Sequence, residues 1–156
     1  MPPIQLPIPL PLINASEFDA HVNDPSGTPT NVIRTEDAWS VDCTWYVQGP
    51  IADLLQGRWR LQVGLESIGT GPELVTPAVF RDYQATGTLT GAFPNQRMSF
   101  SASVDFAPGT PALGGAPDVA FQATAMLTFL TPAGTPGPFA AVYDLGIIQV
   151  FDSPKP

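Results

Sequence analysis

The sequence predicts an all-β fold: a single antiparallel β-sandwich of jelly-roll or immunoglobulin-like type, with a closed β-barrel as the alternative. Three observations predict it. Proline and glycine supply 19 and 14 of the 156 residues, and an interior proline costs a helix ~3 kcal/mol, so long helices have few places to form. Several stretches alternate between apolar and polar residues, the signature of half-buried strands. Pro/Gly clusters separate these stretches, as turns between strands require. Hydrophobic residues make up 44% of the chain and aromatics 10%, enough to exclude disorder along its whole length. The length suits one domain.

The elements follow in order. Residues 1–13 read as an extended, Pro-rich arm. Pro7, Pro9 and Pro11 fix φ and push the residues before them into extended geometry. Ile4, Leu6, Ile8, Leu10 and Leu12 then project to one side of the arm. The prolines remove the N–H donors from one edge, so a ladder can form on the other edge only. Residues 14–37 read as a linker with room for a short strand, turning at Asp24-Pro25-Ser26-Gly27.

The sandwich is expected over 38–152, with 153–156 as a tail. From Trp39 to Gln48 the odd positions are Trp, Val, Cys, Trp and Val, facing Ser, Asp, Thr, Tyr and Gln. Residues 51–56 could make one helical turn closed by Gly57. Trp59, Leu61, Val63 and Leu65 form the next apolar row. Residues 79–93 read as a weaker strand region. Met98, Phe100, Ala102, Val104 and Phe106 form another row, and Val119, Phe121, Ala123, Ala125, Leu127 and Phe129 a further one. The last strand, 139–151, is apolar at both parities. Tyr143, Leu145 and Ile147 stand at one, Val142, Ile148 and Val150 at the other, which predicts burial on both faces.

Charge narrows the partners. Six basic residues against 14 acidic ones give a net charge of −8, and the basic residues are scattered. A nucleic-acid partner is not expected, because phosphate binding needs clustered Lys and Arg. No apolar run is long enough to span a membrane. The first residues lack a basic n-region and are broken by prolines, so no signal peptide is expected. The expected compartment is the cytoplasm by default, or an exported or assembled particle. Cys43 is the single cysteine, which leaves no intramolecular disulfide.

Candidate chemistry is sparse. His21 is the single histidine, and a Ser or Cys nucleophile needs a base beside it. Glu17, Asp19 and His21 form a weak candidate metal site, since imidazole and carboxylate can share a divalent ion. No cofactor is expected. Trp39, Trp45 and Trp59 share strand faces with Val and Leu, which assigns them to the core. Tyr46 and Tyr83 remain as exposed aromatic platforms.

The expected function is non-enzymatic: a structural or assembly protein that forms homo-oligomers, or joins a larger assembly, through its arm and apolar faces. Strand addition by the arm is one route. The alternative is a module that binds a small molecule or a carbohydrate.

Overall fold

The computed structural model describes residues 15–26, 29–69 and 71–152. The arm residues Ile4, Leu6, Ile8, Leu10 and Leu12 lie outside this set. The strands are β1 (Ala15–Asn23), β2 (Val32–Arg34), β3 (Trp39–Gln48), β4 (Arg58–Ser67), β5 (Glu73–Val75), β6 (Val79–Asp82), β7 (Thr88–Thr90), β8 (Arg97–Phe106), β9 (Asp118–Leu130) and β10 (Pro136–Phe151). One helical turn, α1 (Tyr83–Thr86), lies between β6 and β7.

The strands form two sheets. The first, sheet A, runs β1-β3-β8-β7. The second, sheet B, runs β2-β10-β9-β4-β5, with β6 also on β4. Every pairing is antiparallel except the short β2 against the end of β10. The sheets do not join into a barrel; this is a sandwich.

Strand alternation explains the core. The apolar rows of β3, β4, β8 and β9 all face inward. Trp59 is fully buried and sits at the hub of an aromatic cluster. Its ring centroid lies 5.1 Å from Phe129, 5.5 Å from Phe100 and 5.8 Å from Trp45, all edge to face, the geometry that aligns positive ring edges with negative faces. Across sheet A, Trp39 stacks on Phe106 at 3.8 Å. Its indole Nε1 donates to the Thr110 carbonyl at 2.8 Å, tying the 107–117 loop to the strands.

Four expectations change. The sandwich starts at residue 15 rather than 38, because β1 is a full strand inside the expected linker. Phe18, Ala20 and Val22 point inward from it, and it pairs with β3 along its whole length. Residues 51–56 form successive turns rather than a helix, with Ala52 N–H donating to the Gly49 carbonyl and Leu54 N–H to that of Ile51.

Residues 79–93 are not one strand. The chain leaves sheet B after β6, turns through α1 and enters sheet A as β7. Asp82 caps the turn by accepting from Ala85 N–H at 2.8 Å. Gly87 closes it where a Cβ would lie 2.4 Å from Met98 Cε and 2.8 Å from the Tyr83 carbonyl. The turn carries Tyr83 inward. That residue is fully buried, with its hydroxyl donating to the Ala52 carbonyl, so it is not an exposed platform.

The fourth correction concerns β10, which is not buried on both faces. Leu145 is an extra residue between the pairs Asp144–Thr124 and Gly146–Ala123. Gly146 adopts φ +79°, the left-handed conformation that glycine takes without steric cost. Asp144 Oδ1 accepts from Gly146 N–H at 2.8 Å. The result is a β-bulge that shifts side-chain parity by one. Ala141 and Tyr143 face inward before it, and Ile148 and Val150 after it. Val142 and Ile147 are left outside, 58% and 54% exposed.

Candidate interaction surfaces

The two outward faces of the sandwich carry different chemistry. On sheet A the polar halves of three alternating strands lie side by side. Glu17 stands opposite Tyr46, Asp19 opposite Thr44 and His21 opposite Asp42. On the other side of β3, Tyr46 stands opposite Ser99, Thr44 opposite Ser101 and Asp42 opposite Ser103. Thr88 extends the Tyr46 row onto β7.

A hollow of about 370 Å³ opens on this face, lined by Glu17, Asp19, Tyr46 and a set of Ser and Thr side chains. Arg97 places its guanidinium carbon 3.8 Å from the Tyr46 ring centroid, a cation–π contact that fixes the ring. Arg97 also donates to Gln48 Oε1 at 3.2 Å. Burial first, and then the nearby Asp19 charge, push the pKa of the Tyr143 hydroxyl on β10 up.

Asp42 holds the far end of the face together. It accepts from Ser103 Oγ at 2.5 Å and from the Asn23 amide, with His21 Nε2 4.0 Å away. Beneath it, Cys43 points into the core. Burial, aided by the charges of Asp42 and Asp19, raises its pKa to about 12. A thiol in that state is inert packing rather than a nucleophile.

Glu17, Asp19 and His21 do lie on one face of β1. Consecutive members are two strand residues apart, about 6.8 Å, which spreads the three too widely for a common ion whose ligands sit ~2 Å from it. Among the described residues no three His, Cys, Asp or Glu side chains are grouped to hold a metal.

The outward face of sheet B exposes more large apolar side chains, among them Val75, Val142 and Ile147. One row reads Gln62, Met126, Val142; the next reads Val75, Gly64, Thr124, Asp144; the next Glu66, Gln122, Ile147. Val75 is 62% exposed. Gly64 carries no side chain, and Met126 lies over it, with Cε 3.4 Å from where a Cβ would stand. Charge is pushed to the ends. Arg58 and Arg60 stand at the start of β4, with Arg58 over the Phe80 ring at 4.5 Å. Glu66 stands at the other end, opposite Glu73 of β5. Asp144, the carboxylate nearest the middle, is engaged by Gln122 and Gly146 rather than by an arginine.

Sequence reasoning placed Tyr46 on the outer face and Glu17, Asp19 and His21 near one another. It missed Arg97, Ser99 and Ser101 as their neighbours. Strand parity showed these side chains pointing outward, but parity does not say which strands pair.

No protein-family model matches the chain, and no curated protein matches it. Among solved structures the chain is similar to a β-glucosidase from Listeria innocua, crystallised in complex with glucose, at 12% identity and a TM-score of 0.41. The likeness covers 87% of this chain and 16% of that one.

Proposed function

We propose that the protein is a non-enzymatic assembly subunit whose sheet B face packs against the same face of a second copy. The observation that carries this reading is the layout of that face. Its middle exposes Val75, Val142 and Ile147 around Gly64 and Met126. Apart from Asp144, which is engaged locally by Gln122 and Gly146, its charges lie at the ends, basic at one and acidic at the other. A two-fold axis through the middle sets Arg58 and Arg60 of one copy against Glu66 and Glu73 of its partner, which is the self-complementarity an isologous interface requires.

The energetics divide accordingly. Full burial of a Val or Ile side chain is worth roughly 1.5–3 kcal/mol. Val142, Ile147 and Val75, each more than half exposed, would gain about half of that on covering. Rim ion pairs contribute ~0–1 kcal/mol each and set register more than affinity. The apolar comb Ile4, Leu6, Ile8, Leu10 and Leu12 would supply a second contact to a neighbouring chain by strand addition.

Sedimentation equilibrium of the full chain across a concentration series tests the reading. Arg60→Glu and Glu66→Arg should each weaken association, and the double variant should recover it, because the swap restores complementarity. A chain that stays monomeric at high concentration, with or without residues 1–12, ends the proposal.

A further inference from the structure

We infer that the hollow on sheet A binds a neutral oligosaccharide, with Tyr46 as the platform on which a sugar ring stacks. This goes beyond the assembly reading and rests on the opposite face. Three features carry it.

First, Tyr46 is half-buried and braced. Tyr46 lines the hollow, and the Arg97 guanidinium carbon lies 3.8 Å from its ring centroid. The guanidinium sits against the ring and restrains it before any ligand arrives. Preorganisation of this kind lowers the ordering cost of binding.

Second, the hydrogen-bonding groups around the ring suit hydroxyls. Five Ser and Thr side chains line the hollow, and each hydroxyl both donates and accepts. Glu17 and Asp19, which line the same hollow, add strong acceptors for sugar O–H groups. A sugar presents an apolar C–H face for the ring and a rim of O–H groups for these partners.

Third, the space is elongated. A second hollow of about 510 Å³ adjoins the first through Thr44 and Ser101 and continues toward Arg81 and Asp105. Both volumes fall in the range of ligand sites, and a chain of sugar rings fills two adjoining hollows where a single ring fills one.

The competing ligand is a cation, drawn by Glu17 and Asp19. Saturation-transfer NMR of the purified full chain with maltotriose, cellotriose and chitotriose, alongside trilysine, separates the two. The expected result is transfer to at least one trisaccharide that persists in high salt. Tyr46→Ala should weaken that binding about tenfold, while Tyr46→Phe keeps the stacking surface. Ser101→Ala should weaken it by about threefold, one hydrogen bond's worth. Urea midpoints within error of the parent show that these outer-face variants fold. No transfer to any of the three trisaccharides overturns the proposal. So does binding of trilysine alone that fades with salt, and so does trisaccharide binding unchanged in Tyr46→Ala.

Discussion

The two outward faces grow from the same strand alternation, and the sheet B face exposes more apolar side chains. On sheet A the outward positions of β1, β3 and β8 hold Glu, Asp, His, Thr, Tyr and Ser. On sheet B the outward positions of β9 and β10 mix Ala, Met, Val and Ile with Thr, Gln and Asp. The difference comes from two local devices. Sheet A keeps unbroken alternation, so its polar residues, apart from the buried Asn23, lie side by side at the surface. Sheet B interrupts it at Leu145 and Gly146, and the shift turns Val142 and Ile147 outward. The first face is richer in hydrogen-bonding groups and the second in exposed apolar side chains, and the two proposed contacts divide along that line.

The comparison can be broken or sharpened by substitution, starting with the support that both faces share. Trp59→Ala removes the hub of the aromatic cluster and should cost ~3–5 kcal/mol. Urea unfolding would show the loss, and association and trisaccharide binding should fall together. Asp42→Ala acts on sheet A alone. It strips the acceptor from the buried Asn23 amide and from Ser103, at a cost of ~1–3 kcal/mol; association through sheet B should survive.

Gly146→Ala acts on sheet B. A Cβ there meets no atom within 4 Å, so the cost is the backbone penalty of a left-handed L-residue, ~1–2 kcal/mol. It should weaken association and leave the Tyr46 hollow intact, and one sedimentation run with one NMR titration would distinguish the two faces.

The smallest effect at neutral pH comes from Cys43, because its thiol is protonated there in both states. Its pKa rises from 9.0 to about 12 on folding. Above about pH 9 the unfolded chain loses the proton and the folded chain keeps it, so stability falls as pH rises toward about 12. The slope for one such group approaches ~1.4 kcal/mol per pH unit. Tyr83, raised in the same direction by burial, adds to the loss at higher pH. Cys43→Ala should flatten the decline between pH 9 and 11 in a series of denaturation curves.

How much of this was legible in the sequence depended on how regular each strand is. β3, β4, β8 and β9 alternate without interruption, and their inward rows were read correctly. β1 also alternates, but one of its three inward residues is the small Ala20, and its outward set of Glu17, Asp19 and His21 looked like linker chemistry. β10 was misread because a bulge is invisible to parity: apolar residues at both parities fit either burial on two faces or a shift of one residue. The turn at Asp82 was hidden for the same reason, and it moved Tyr83 from the surface to the core. The hollow itself needs register. Tyr46, Ser99 and Thr88 come from three strands, and the Tyr46–Ser99 pairing, across more than 50 residues of sequence, is fixed by the whole fold.

Cys43 lies at the centre of β3, the strand that sheet A is built around, and it is 1% exposed. A bulky thiol reagent can reach it only after β3 parts from a neighbour or from the opposite sheet. The labelling rate in native buffer therefore times that parting, and since the chain has one thiol the clock has a single hand. Anything that clamps either face, a bound sugar or a second copy, should slow it.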